Sequence, residues 1–200
     1  MMQIVLATRN AGKIREFSAL MADMGVEVLG LDAFPEVDEV EETGTTFEEN
    51  ALLKARAVAA ATGLIAVADD SGISVDALGG APGVYSARYA GGHGDAEANN
   101  AKMLQELQGV PDAKRTARFV CVVAASKPDG QTITAQGQWE GRITHGYAGK
   151  SGFGYDPIFF DPELGMTAAQ MAPEQKNSRS HRGKALRELL TQWRGFAGNV

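Results

Sequence analysis

At 200 residues and 44% hydrophobic, the chain is long enough for one substantial core, or for two lobes around a cleft. It is short for two independent domains, so a single domain over residues 1–200 is expected. Lys plus Arg number 19 and Asp plus Glu 25, a net charge of −6 and the wrong sign for a protein that coats nucleic acid; a phosphorylated ligand would need a locally basic pocket. The single cysteine, Cys121, excludes an intramolecular disulfide or a thiolate metal cluster and fits a reducing cytoplasm. The opening residues lack the basic-then-apolar order of a signal peptide, and no apolar run is long enough to span a membrane.

Gln3 to Thr8 reads as a short strand stopped by Arg9-Asn10-Ala11-Gly12, after which Ile14, Phe17, Met21 and Met24 recur at helical spacing. Gly25 predicts the end of that helix, Val26 to Leu29 a second strand, and Asp32 to Glu42 is a long acidic stretch. Thr46 predicts a helix start, with Glu49 completing a capping box and Phe47, Ala51, Ala55 and Val58 on one face. Leu64 to Ala68 predicts a buried strand that ends in Asp69-Asp70-Ser71-Gly72, and Ile73 to Tyr89, rich in Gly and Pro, reads as a tight excursion. Helix resumes near Asp95 and turns Met103, Leu104 and Leu107 inward. A hairpin follows: Ala117 to Ala125, the turn Lys127-Pro128-Asp129-Gly130, then Ile133, Ala135, Gly137 and Trp139 alternating on one face, with antiparallel pairing expected. A loop containing Gly146, Gly149, Gly152 and Gly154 precedes a strand-like Pro157 to Phe160, and the chain closes on a helix bearing Leu186, Leu189, Leu190 and Trp193. Strand–helix units around a central hairpin predict an α/β fold with a long mixed sheet flanked by helices.

Chemistry concentrates in a few segments. Thr8-Arg9-Asn10-Ala11-Gly12-Lys13 joins a strand to a helix N-terminus, where backbone amides, the Thr8 and Asn10 side chains and the Lys13 charge suit a polyphosphate; an ordinary capped turn with a surface lysine fits the same residues. It is not a Walker A loop, because Ile14 follows the lysine. Glu41-Glu42 and Asp69-Asp70 supply hard oxygen donors of the kind magnesium takes one or two of, although Glu41-Glu42 also reads as part of a solvated acidic run. Adjacent charges delivered by a buried strand favour function for Asp69-Asp70, including orientation or deprotonation of a water. Lys54 lies four residues after Asn50 on one helical face, facing a cleft or snorkelling at the surface. Ser151 to Pro157 offers Phe153 and Tyr155 as base-stacking faces or as hydrophobic plugs, with Asp156 as an acceptor for ring N–H groups. Lys176, Ser178, Arg179, Ser180, His181 and Arg182 read as cations and hydroxyls at the start of the last helix, where the dipole alone would prefer acids.

In order, ATRNAGK (Ala7–Lys13), EETGTTFEENALLKA (Glu41–Ala55), ADDSGISVDALGGAPGVYSARYAG (Ala68–Gly91), GFGYDPIF (Gly152–Phe159) and SHRGKAL (Ser180–Leu186) resemble, across the whole chain, the inosine/xanthosine triphosphate pyrophosphatase family, the RdgB-type nucleotide house-cleaning enzymes. The resemblance implies an elongated two-lobed α/β fold with a substrate cleft between lobes, Mg2+ dependence, homodimerisation, and hydrolysis of dITP, ITP and XTP to monophosphate and pyrophosphate. Carried over by motif, Thr8, Arg9, Asn10, Ala11, Gly12 and Lys13 would hold the triphosphate, with Lys54 assisting. Asp70 would serve as general base and metal carboxylate, Glu41 as the second metal carboxylate with Glu42 beside it, and Ser71 as a substrate contact. Phe153, Gly154, Tyr155, Asp156, Lys176, His181 and Arg182 would contact the nucleotide, mainly around its base, with His181 or Arg182 donating to a 6-oxo group. Two positions depart from the pattern: Arg9 stands where some relatives have glycine, and Arg179 where an apolar residue is expected, both adding positive charge near anion sites. Alternatives of other classes are a non-catalytic nucleotide sensor, a Maf-like pyrophosphatase for other modified nucleotides, and a phosphohydrolase releasing orthophosphate.

Overall fold

The computed structural model describes residues 2–22, 25–92 and 94–198. β1 (Met2–Leu6) pairs in parallel with both β2 (Val26–Gly30) and β3 (Ile65–Val75). β4 (Thr116–Ser126) and β5 (Thr132–Ile143) are neighbours, and β6 (Phe159–Asp161) runs antiparallel to β5 and to β7 (Met166–Thr167). The seven strands form one mixed sheet in the order β2-β1-β3-β4-β5-β6-β7. The helices are α1 (Ala11–Met21), α2 (Phe47–Thr62), α3 (Ala96–Glu106), α4 (Pro173–Arg179) and α5 (His181–Ala197), so the α/β expectation holds.

Local signals produce the elements where the sequence places them. Asn10 caps α1, Asp95 caps α3, and Thr46 with Glu49 forms the full capping box of α2. Along β5 the buried positions Ala135, Gly137, Trp139 and Ile143 alternate with exposed ones, the period of a half-buried strand. Met24 lies outside the described residues.

Three expectations are corrected. Asp69 and Asp70 do not end a strand: β3 continues through them to Val75, so Ile73 to Val75 is strand rather than excursion. Interior carboxylates are tolerated there because cations meet them, as described below. Pro157 and Ile158 belong to a turn, and β6 begins only at Phe159. Lys176 and Arg179 do not open the last helix but fall in the last turn of the separate α4, where cations complement the helix dipole; Ser180, in an extended conformation, breaks the chain before α5.

The described chain divides into two compact units, whose boundaries fall within β3, β4 and β5 and between His181 and Arg182. The first contains Met1–Asp70, Cys121–Gly137 and Arg182–Val200. Its largest core packs Ile4, Leu6 and Val67 with Phe17 and Met21 of α1 and Leu186, Leu189 and Trp193 of α5. A smaller cluster seats Ala51 and Ala55 of α2 on Ala68, Val122 and Ala124, small side chains that let helix and strands approach closely. The second contains Ser71–Val120 and Gln138–His181, with a core of Ile73, Val75, Met103, Phe119, Trp139, Ile158 and Phe159.

Candidate active site

In the first unit, the turn after β1 is largely self-satisfied. The Asn10 carboxamide oxygen accepts from the backbone N–H of Gly12 (2.9 Å) and Lys13 (3.2 Å), and Thr8 Oγ1 accepts from Asn10 N–H (3.1 Å). The cap of this turn is therefore present, but without a surface lysine: Ala11 is exposed, Gly12 half-buried, and Lys13 is directed inward, its Nζ 2.9 Å from Asp69 Oδ1. Arg9 points away from that arrangement: its guanidinium donates to Leu31 O, Asp32 Oδ1 and Val37 O. The structure thus gives Arg9 a partner set in the segment after β2.

α2 and β3 bring the acids together with Lys54. From α2, Lys54 Nζ donates to Glu42 Oε1 (2.6 Å) and to the carbonyl oxygen of Asp69 (2.8 Å), and lies 3.8 Å from Asp70 Oδ1. Glu42, not Glu41, is the acid placed on Lys54, whereas Glu41 is exposed. One turn before Lys54, Asn50 donates from Nδ2 to Asp70 Oδ2 (3.0 Å) while its Oδ1 accepts from Gly44 N–H (2.8 Å). Gly44 is required by close approach: a Cβ there would stand 2.6 Å from Asn50 Oδ1 and 2.7 Å from the Glu49 Cβ.

The two aspartates titrate in opposite directions. Burial alone would raise Asp69, but Lys13, Arg182 and Lys54 outweigh it and hold the carboxyl well below the usual range. Asp70 is raised, first by burial and then by the Glu42 charge, against the opposing pull of Lys54. Burial works to lower Lys54, yet Asp70, Asp69 and Glu42 together raise it. Asp69 is therefore a fixed counter-charge, and Asp70 the carboxylate more ready to take a proton.

Arg182, at the start of α5, donates from Nε (3.2 Å) and Nη2 (3.1 Å) to Asp69 Oδ2 and from Nη1 to Glu16 Oε2 (2.6 Å), with only 2% of its side chain exposed. The Arg182 donors thus face carboxylates of its own unit. Glu16 carried no sequence signal, being one acid on an amphipathic helix.

In the second unit, Asp156 organises the glycine loop. Its Oδ2 accepts from Phe153 N–H (2.8 Å) and from Lys176 Nζ (2.7 Å), and the Lys176 ammonium lies 4.8 Å from the centre of the Phe153 ring. Gly152, at φ +78°, has no room for a Cβ because Asp156 Oδ2 occupies that space. The Gly154 carbonyl accepts from Asn100 Nδ2 at 3.0 Å. Tyr155 packs in the core: it is 6% exposed and its hydroxyl donates to Ser86 O (2.7 Å). His181 is buried too, stacked on Phe119 at 4.6 Å and 10°. Ser71 is half-buried in β3. Arg179 meets Asp161 Oδ2 (2.6 Å) and Glu163 Oε2 (2.6 Å), so the extra charge anticipated from it is neutralised locally. A pocket of about 490 Å³ in this unit is lined by Phe153, Gly154, Asn100, Tyr147 and Lys150 among others.

Comparison with known proteins gives a consistent result. Residues 4–192 match the Ham1 family. The dITP/XTP pyrophosphatase of Nitratidesulfovibrio vulgaris is 61% identical over 96% of both chains, and that of Thioalkalivibrio sulfidiphilus 57% identical over 97% of this chain and all of its own. Among solved structures, the Ham1 protein of Staphylococcus aureus superposes with a TM-score of 0.84 at 45% identity, covering 97% of this chain and 99% of its own. The HAM1 protein of Coxiella burnetii gives 0.86 at 44%, covering 96% and 98%.

Proposed function

Because the chain belongs to the Ham1 family, we propose that it hydrolyses the non-canonical purine nucleoside triphosphates dITP, ITP and XTP to the monophosphate and pyrophosphate, as one domain over residues 1–200. The observation that carries the reading is the grouping of Glu42, Lys54 and Asp70 beside the Lys13–Asp69 pair. It supplies cations for a polyphosphate and an acid able to accept a proton.

The donor set fits magnesium. Glu42 and Asp70 are hard oxygen donors that both meet Lys54, at 2.6 Å and 3.8 Å, and magnesium usually takes only one or two protein carboxylates. That leaves coordination positions for waters and phosphate oxygens. Bound there, magnesium would neutralise charge developing on the phosphates.

In the reaction, Lys13 and Lys54 balance the triphosphate charge, and Asp69 holds Lys13 in place. Asp70, oriented by Asn50, takes a proton from water as its oxygen bonds to the α-phosphorus; the α–β bridging bond breaks and pyrophosphate leaves with the electron pair. In the second unit, Phe153 offers a stacking face and Lys176 and His181 act around the base, where a 6-oxo group presents an acceptor and adenine a donor. Homodimerisation and a cytoplasmic setting belong to the same proposal; no helix among the described residues is long and apolar enough to cross a membrane.

The test is phosphate product analysis with magnesium and a panel of dITP, ITP, XTP, dATP, dGTP and dTTP, with Asp70→Asn alongside. Pyrophosphate from the first three only, abolished in the variant, is the expected result. Orthophosphate would overturn the bond assignment, indifference to the base the pocket assignment, and an active variant the role of Asp70.

A further inference from the structure

The acid placed on Lys54 reaches it from a stretch with no regular structure. After the helical turn Leu31–Ala33, residues 38–44 form no helix or strand before α2 begins. That stretch is tied at both ends. At its far end, Gly44 N–H donates to Asn50 Oδ1, the same carboxamide that orients Asp70. At its near end, Leu31 N–H donates to Thr8 O (3.2 Å), Val37 N–H donates to Phe34 O (3.0 Å), Val40 packs on the cluster around Val37, and Arg9 adds side-chain ties: Nη1 to Leu31 O (3.2 Å) and Asp32 Oδ1 (3.3 Å), Nη2 to Val37 O (3.0 Å). Val37, whose carbonyl Arg9 holds, is itself buried in the cluster with Val5, Leu31, Val58 and Ala66, so the guanidinium and an apolar anchor act at one place.

From this geometry we infer that Arg9 is a positioning residue for the metal carboxylate Glu42. Its fork fixes where residues 38–43 start, and so limits the conformations from which Glu42 must be drawn to Lys54 and Asp70. The inference rests on the reading of Glu42 and Asp70 as the magnesium donors, and it gives Arg9 a role other than the phosphate contact that its place in the turn suggests. A fork is needed because the acceptors are carbonyls six residues apart, Leu31 and Val37, met by two different nitrogens of one planar group. Freeing one end of a short segment enlarges the ensemble from which its middle residue must be recruited.

Two variants separate the roles. Arg9→Met keeps the aliphatic stem and removes the guanidinium; Arg9→Lys keeps the positive charge and loses the fork. Hydrogen exchange of the hydrogen-bonded amides of Leu31, Phe34, Val37 and Gly44, measured on the whole protein without nucleotide, is expected to quicken about fivefold or more in both variants, the equivalent of losing one or two net hydrogen bonds. The magnesium concentration that half-saturates turnover is expected to rise by a similar factor in both, with the nucleotide KM at saturating magnesium shifted less than about twofold. Unchanged exchange overturns the inference without any recourse to activity, and so leaves the proposed function standing. A raised nucleotide KM in Arg9→Met that Arg9→Lys restores, with metal half-saturation unmoved, also overturns it and makes Arg9 a phosphate ligand. Quickened exchange in a protein that shows no magnesium-dependent turnover retains the tether and refutes instead the reading of Glu42 and Asp70 as metal donors.

Discussion

Asp69→Asn removes the shared counter-charge of Lys13 and Arg182. The carboxylate is 3% exposed and is met by Lys13 at 2.9 Å and by Arg182 through two bonds of 3.1 and 3.2 Å, with the Cys121 thiol 4.0 Å away. Removing one partner of a buried ion pair typically costs about 3–5 kcal/mol, because the remaining charge stays desolvated. Arg182 keeps Glu16 at 2.6 Å and the Lys13 side chain is 19% exposed, so the loss belongs at the lower end, about 3 kcal/mol. For a chain of this length that corresponds to a fall in Tm of roughly 6–12 °C. The pH dependence follows from the same contacts. Asp69 is lowered in the folded protein from an ordinary value of 3.8, so its stabilisation is complete above that pH and is lost as pH falls through the folded value. The gap between wild type and Asp69→Asn is therefore level from neutral pH down to mildly acidic pH and narrows below it. Urea unfolding across that range, followed by far-ultraviolet circular dichroism, measures both features. A difference under about 1 kcal/mol at neutral pH, or one that does not narrow in acid, would refute the account of Asp69 as the counter-charge of buried Arg182 and half-buried Lys13.

Other outcomes are expected from the same geometry. Gly44→Ala puts a methyl group against Asn50 and Glu49, and steady-state kinetics should show kcat reduced by about tenfold or more as Asn50 loses its hold on Asp70; a wild-type kcat would remove Asn50 from the orienting role. Thr46→Ala breaks the capping box of α2 and should lower stability by about 1 kcal/mol in denaturant titrations. Lys54→Met removes the cation between Glu42 and Asp70 and should depress kcat/KM by about a hundredfold, read in a coupled pyrophosphate assay. Phe153→Ala should raise the KM for dITP by about tenfold if the ring stacks on the base, and leave it unchanged if the ring serves only to pack against Lys176.

Much of the fold is legible in the sequence wherever the deciding interaction is local. The Thr46–Glu49 capping box, the helix start near Asp95, the Lys127–Gly130 turn and the alternation along β5 all depend on residues a few positions apart, and all appear where the pattern places them. The end of β3 is not legible, for the same reason. Locally, two acids look like the close of an apolar run, and only the cations that meet them allow the strand to continue through. The break at Ser180 is similar, since Lys176 and Arg179 look misplaced at the head of one long helix and well placed at the tail of a short one.

The sequence by itself determined which segments matter: the turn after β1, the acidic pairs, Lys54 in register with Asn50, and the glycine loop around Asp156. Only the tertiary structure decided which partners those side chains take. Lys13 meets Asp69 across 56 residues and Arg182 meets Glu16 across 166, Glu42 rather than its neighbour reaches Lys54, and Arg9 turns toward Leu31 and Val37. The physical reason is that a cap or a turn is fixed by covalent proximity. A buried charge, by contrast, takes whichever counter-charge the sheet order and helix packing bring within about 3 Å, and no pattern along the chain encodes that distance.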